Sequence, residues 1–182
     1  MHDADIAFGF EFAPIGLAVT RHRIIETCNP TFSDMFGYPP GSLWGKSIAL
    51  LYPSNREFVD VGRIGLKAMT KGGQYGDERI MQRADGTQFW CAVRGRSATI
   101  SDPFSRCVWS FVDMSEQRPI VNFTRREREI AMLSVAGHTN KQIARDLGIS
   151  HRTVEGHRSR MMDKLGVTTG AELIAKLAGL PL

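Results

Sequence analysis

Between positions 139 and 164 the sequence places Lys141, Arg158, Arg160 and Lys164, with Thr139 and Thr153 at expected helix starts, as candidates to donate hydrogen bonds to phosphate oxygens. They fall in the part of the chain that carries the whole net charge of +4. From Pro119 onward there are 10 Lys and Arg against 6 Asp and Glu, whereas the residues up to Arg118 hold 13 of each. A basic block suits a polyanion, because each neutralised phosphate releases condensed counterions. A solvated charged surface gives the same excess, so the spacing has to decide. If Val154, Met161 and Leu165 turn inward on a helix, Arg152, Glu155, Gly156, Ser159, Arg160 and Asp163 share the opposite face.

The elements that must hold this face are marked by their ends. Thr124 with Glu127, Thr139 with Gln142 and Thr169 with Glu172 match the capping box, in which two side chains satisfy orphan backbone amides reciprocally. Gly137, Gly148, Gly166 and Gly179 stand where a left-handed residue ends a helix. Four helices are expected, at about 125 to 136, 140 to 147, 151 to 165 and 170 to 178. Their apolar stripes (Ile130, Leu133, Ala136; Ile143, Ala144, Leu147; Val154, Met161, Leu165; Leu173, Ile174, Leu177) build one small core. Only Gly148-Ile149-Ser150 joins the second helix to the third, the short turn of a helix-turn-helix.

Phe123 to Ile130, Asn140 to Ala144, Leu147 to Ser150, Thr153-Val154, His157 and Lys164 to Val167 together resemble the LuxR family of bacterial regulators. The resemblance implies a third helix lying in the major groove of duplex DNA, with Arg152, Glu155, Gly156 and Ser159 toward the bases. Gly156 would let the backbone approach the groove floor, or is a tolerated weak spot costing ~1 kcal/mol. Relatives often carry lysine where Glu155 stands; a glutamate accepts from cytosine N4, which implies a different site preference. Alternatively Glu155 pairs with Arg152 or Ser159 and reads nothing. His157 lies beside the inward stripe, where packing competes with DNA contact. The resemblance also implies a homodimer on two half-sites, joined by the last helix through Leu173, Leu177 and Leu180. The competing reading packs that strip only within its own subunit or against the preceding domain.

Ahead of this block the period changes. Gly16 to Thr20, Arg23 to Cys28, Gln74 to Gln82, Thr87 to Thr99 and Arg106 to Met114 read as strands, and Asp85-Gly86 as a hairpin turn. Asn29-Pro30 reads as an N-cap with proline at the first helical position, opening a short helix through Phe36. Two more helical stretches fit within Leu43 to Leu51 and Ser54 to Met69. The fold class is therefore α+β: an antiparallel sheet with flanking helices, then an all-α four-helix domain. The boundaries expected are an N-terminal extension at 1–10, a first domain at 11–118, a linker at 119–122 and the helix-turn-helix at 123–182.

Ala13 to Gly16, Asn29-Pro30 with Phe32, Phe36-Gly37-Tyr38, Arg83 to Thr87 and Val112 to Glu116 resemble the PAS family in its order of motifs. That implies a sensor domain, with a pocket among Phe32, Phe36, Leu51, Ile64, Trp90 and Trp109, for a small apolar ligand or non-covalent flavin. Core packing by the same side chains is the alternative, as is a PAS domain serving only as a dimerisation or protein-interaction scaffold. Haem is disfavoured because the long helical stretch Ser54 to Met69, where haem-binding members carry a histidine, has none and only His2 and His22 precede Arg118; the flavin-adduct cysteine has no counterpart in Leu50 to Arg56. Cys28, Cys91 and Cys107 are too scattered for a disulfide framework or metal site. No nucleophile elbow or phosphate loop is present, which disfavours an enzyme. No window approaches the ~20 apolar residues that span a bilayer, and a cytoplasmic protein is expected.

Overall fold

The computed structural model describes residues 3–118 and 122–179. They form two compact units, one of residues up to Thr87 with Cys91–Asp113, the other of Gln88–Trp90 with the chain from Met114.

The first unit is built on a five-stranded sheet in the order β2-β1-β5-β4-β3. Its strands are β1 (Gly16–Arg21), β2 (Ile24–Cys28), β3 (Gln74–Gln82), β4 (Gln88–Ser97) and β5 (Cys107–Asp113). β1 pairs antiparallel with β2 and β5, and β4 pairs antiparallel with β5. Alternation along β1 turns Gly16, Ala18 and Thr20 inward. Against this face lie α2 (Pro30–Phe36), a 3₁₀ turn at Ile48–Leu51, and α3 (Asn55–Gly72). The Phe32 ring packs on those of Phe36 and Phe111 with centroids 4.9 Å apart in each case. Gly16 is required where α2 meets β1, since a Cβ there would lie 3.2 Å from the Phe32 Cα.

Asn29 fastens this corner. Its Oδ1 accepts from the amides of Leu17 (2.8 Å) and Phe32 (3.0 Å), and its Nδ2 donates to the carbonyls of Ile15 (2.9 Å) and Phe10 (3.2 Å). The side chain is fully buried and all four of its polar positions are used. The N-cap expected at Asn29 is thus present, and it does more than cap. The Asp85-Gly86 hairpin closes with Arg83 N–H donating to the Thr87 carbonyl at 2.9 Å.

Three features differ from the sequence reading. A helix α1 (Asp3–Glu11) occupies the expected N-terminal extension; it buries no residue, so it carries no apolar stripe to betray it. The Leu43–Leu51 stretch yields only the 3₁₀ turn. Ile64 is 58% exposed, because α3 turns Gly62, Gly65 and Met69 inward.

The second unit holds α4 (Arg125–Val135), α5 (Asn140–Leu147), α6 (His151–Leu165) and α7 (Gly170–Ala178). All three expected capping boxes are formed. Gly148, Gly166 and Gly179 close α5, α6 and α7 in the left-handed conformation. Ile130, Ile143, Val154, Met161, Leu173 and Leu177 are fully buried in one core, whereas Ala136 is exposed and Leu133 and Leu147 only half-buried. Burying such aliphatic side chains contributes about 1.5–3 kcal/mol each before entropy is counted.

Candidate nucleic-acid interface and internal cavity

The three-residue turn Gly148-Ile149-Ser150 fixes α6 against α5. Gly148 ends α5 in the left-handed region, its amide donating to the carbonyl of Arg145, and the Ser150 hydroxyl then accepts from Thr153 N–H at 3.0 Å to start α6. With Val154, Met161 and Leu165 inward, Arg152, Glu155, Gly156, Ser159, Arg160 and Asp163 are all exposed. The face drawn from helical geometry is thus assembled. Nothing lies within 4 Å of a Cβ built on Gly156, so its backbone is open to close approach. Glu155 pairs neither with Arg152 nor with Ser159; its carboxylate lies 3.5 Å from Nδ1 of His151, one turn earlier. Arg160 Nε donates to the Gly156 carbonyl at 3.2 Å, and its Nη2 is 3.3 Å from Nδ1 of His157. Burial, seconded by the Arg160 charge, pulls the His157 imidazole below its usual range.

The six expected phosphate donors divide. Lys141 is exposed at the first turn of α5, Thr139 and Thr153 sit at helix starts, and Arg160 is exposed on α6. Arg158 and Lys164 are engaged within the domain. Arg158 is half-buried, donating to Ser134 Oγ at 3.2 Å, and desolvation lowers its guanidinium pKa. Lys164 donates to Oε2 of the buried Glu127 at 2.7 Å and to the Asn122 carbonyl at 3.1 Å. Both therefore build the scaffold. Leu173 and Leu177 likewise lie in the domain's own core, with no exposed area, and cannot form an exposed pairing strip. Leu180 lies outside the described residues.

In the first unit a cavity of about 20 Å³, room for roughly one water, lies between α3 and the sheet. Of the side chains expected around a pocket, Trp109 lines it; Phe32, Phe36 and Leu51 are fully buried core, Ile64 is exposed, and Trp90 groups with the second unit. Aligned by strand periodicity, Tyr75, Asp77, Arg79 and Met81 share one face of β3. Arg79 is almost entirely buried. Its Nε donates to Asp77 Oδ1 at 2.7 Å, its Nη2 bonds the same oxygen, and its Nη1 donates to the Tyr52 hydroxyl at 2.6 Å. Arg23 enters from the β1–β2 turn: its Nη2 donates to the Phe58 carbonyl at 2.7 Å, and its guanidinium lies 3.4 Å from the Phe58 ring centroid. Burial lowers its pKa. Gly62 on α3 makes room for these groups, since a Cβ there would collide with the Arg23 guanidinium, whereas one on Gly65 would only reach ordinary contact with the Tyr75 ring at 3.4 Å. Sequence reasoning missed these polar residues; glycines three apart on one helix face were the available signal. Among the described residues no cluster of His, Cys, Asp or Glu could hold a metal ion, and no helix is long and apolar enough to cross a membrane.

Comparison with known proteins identifies both units. The family model for the PAS domain matches residues 14–116, and that for "Bacterial regulatory proteins, luxR family" matches residues 121–177. The sensor protein TdiS of Thauera aromatica is 33% identical over 121 residues, which cover 64% of this chain and 22% of TdiS. The transcriptional regulatory protein MctR of Rhizobium johnstonii is 55% identical over 51 residues, 28% of this chain and 24% of MctR. The chain thus spans less than a quarter of the length of these curated relatives. Among solved structures, the PAS domain of a LuxR-family transcriptional regulator from Burkholderia thailandensis, in complex with ethanol, is 41% identical with a TM-score of 0.59, over 60% of this chain and 96% of that one. With most of its length matched by that model, the chain belongs to the PAS domain family and carries behind this domain a DNA-binding domain of the bacterial luxR family.

Proposed function

We propose that the chain is a sequence-specific, DNA-binding transcriptional regulator whose PAS domain senses a small molecule and controls a LuxR-type helix-turn-helix acting as a homodimer. The observation that carries this reading is the exposed polar face of α6, held in place by the Gly148-Ile149-Ser150 turn and centred on the open backbone of Gly156. Arg152, Glu155, Gly156 and Ser159 are its base-reading residues; Thr139, Lys141, Thr153 and Arg160 position the phosphates. The protein acts by binding rather than by catalysis, on duplex DNA in the cytoplasm. One module of this size contacts few base pairs, so two combine to reach specific affinity. Once Leu173 and Leu177 are in the core, the half-buried Ile174 and Ala178 are among the apolar residues of α7 left for such pairing.

Ligand sensing is supported by the Burkholderia thailandensis PAS domain, which holds ethanol at 41% identity. A second reading, in which PAS is only a scaffold, is favoured by the small cavity volume. Selection of bound sequences from random duplexes tests the DNA reading: recovery of a two-half-site motif supports it, and recovery of no motif overturns it. A native mass spectrum of the purified full chain separates sensor from scaffold by whether extra mass rides on the PAS domain.

A further inference from the structure

The wall of the PAS cavity is rich in donors and poor in acceptors. Two guanidiniums, Arg23 and Arg79, reach it, and neither can lose its proton at physiological pH. One carboxylate, Asp77, answers them, and it is committed to Arg79 through two of that residue's nitrogens and to the Tyr75 hydroxyl at 2.8 Å. Among the described residues no carboxylate pairs with Arg23, which donates to the Phe58 carbonyl and also interacts with the Tyr52 hydroxyl. Tyr52 accepts from Arg79, and no acceptor for its own proton is found among the described residues. Arg23 and Tyr52 are neighbours on the Phe58 ring, the guanidinium 3.4 Å from its centroid and the Tyr52 ring 5.5 Å. The site thus holds one surplus positive charge beside apolar walls that include Val93, Trp109 and Phe111. Arg23 is half-buried, and a partly desolvated cation without a counter-charge favours an anion beside it.

The backbone bears out that Arg23 is held for a purpose. His22 and Arg23 form the two-residue β1–β2 turn with φ of 47° and 66°, where glycine, asparagine or aspartate is the ordinary occupant. Left-handed backbone is unfavourable at such residues, because Cβ crowds the following carbonyl. The turn residue that could have been glycine is instead the one whose guanidinium lies over Phe58. Across from it, Gly62 leaves open on α3 the volume that the Arg23 head now fills.

Resting on the sensor reading, we infer that the PAS cavity takes a small organic monoanion, a carboxylate with a short apolar body, clamped between the Arg23 guanidinium and the Tyr52 hydroxyl. A monoanion matches the single surplus charge. A carboxylate offers two oxygens to a guanidinium fork, and the apolar body would lie toward Trp109 and Phe111. The present cavity holds about one water, so binding requires Arg23 to swing away from Gly62 and draw its aromatic stack with it.

Isothermal titration of the full-length chain with sodium propionate, and with 1-propanol as its uncharged counterpart, at constant ionic strength, tests the assignment. Propionate should bind on the order of tenfold or more tightly than 1-propanol, and Arg23→Gln should erase that preference. Tyr52→Phe, which keeps the charge and the ring, should weaken propionate binding by roughly threefold to tenfold, with circular dichroism confirming that both variants are folded. Equal or tighter binding of 1-propanol, no binding of either compound, or an unchanged propionate affinity in Arg23→Gln overturns the anion site. DNA affinity measured with and without propionate separates the two readings. Propionate bound in the cavity with no effect on DNA affinity breaks the sensor reading and leaves the anion site standing; 1-propanol shifting DNA affinity where propionate does not does the reverse.

Discussion

A single oxygen of Glu127, Oε2, accepts both from Nζ of Lys164 on α6 and from the backbone amide of Thr124, each at 2.7 Å. The N-cap of α4 and the last turn of the recognition helix are therefore tied through one buried carboxylate. Burial opposes ionisation of Glu127, but Lys164 and the Thr124 amide and hydroxyl outweigh it and leave the carboxyl below its usual range. A carboxylate with a depressed folded-state pKa adds stability above the unfolded-chain value, here 4.5, and that stability is lost as pH falls through the folded value. Thermal melts of the full chain should thus weaken on acidification below about that pH. Lys164→Met should cost about 1–3 kcal/mol near neutrality, because it leaves a buried charge without its cation, and should remove this part of the acid sensitivity.

Lys141 and Arg158 were equivalent as phosphate donors by type, but their surroundings separate them. Lys141→Ala should make the slope of log K against log salt shallower by about one unit, without changing urea stability. Arg158→Ala should instead lower stability by about 1 kcal/mol, through the lost bond to Ser134, and leave the slope nearly unchanged. An unchanged slope in Lys141→Ala counts against its phosphate role.

Glu155 stands on the exposed face, its carboxylate 3.5 Å from Nδ1 of His151. Replacing it with lysine should change the preferred base at one position of each half-site by about 1–3 kcal/mol. Sequences selected from random DNA by the two proteins should differ at that position alone, and identical motifs would remove Glu155 from base reading.

Pairing of the DNA-binding domains is to be sought at Ile174 rather than Leu177. Leu177→Glu places a charge in a fully buried site, and helical circular dichroism should show the domain unfolding. Ile174→Glu, on the half-buried side of α7, should keep the fold while lowering the dimer fraction in light scattering and weakening DNA binding with it.

Gly95 on β4 lies under Trp109, whose Nε1 donates to Thr20 Oγ1 at 2.9 Å. A Cβ at Gly95 would overlap the six-membered part of the indole. Gly95→Ala should therefore cost about 1–3 kcal/mol in urea unfolding, as overpacked sites do. Wild-type stability in this variant would mean that the indole can shift without loss.

The α-helical unit was the more legible in the sequence because its signals are local. Thr139 with Gln142, Gly148 and Ser150 define helix ends within a few residues, and α5, α6 and α7 begin and end where those residues place them. The strands of the sheet are also readable from runs of β-branched and aromatic residues between turn signals, and β3 spans the bounds so expected. What escaped depends on partners distant in sequence. An apolar residue on α3 such as Ile64 reads as inward-facing, whereas Gly62 faces inward because Arg23 arrives from elsewhere to fill the space. Arg158 and Lys164 looked like free donors for the same reason, their acceptors lying on α4, 24 and 37 residues away.

The fastening at Asn29 carries a kinetic consequence. The amide protons of Leu17 on β1 and Phe32 on α2 share one acceptor atom, so neither is released while the Asn29 side chain stays seated. Their hydrogen exchange should follow a single opening event, with equal protection and equal response to denaturant, although the two residues belong to different kinds of secondary structure. In Asn29→Ala that shared clock is lost: the two amides should then exchange independently, each at the pace of its own strand or helix.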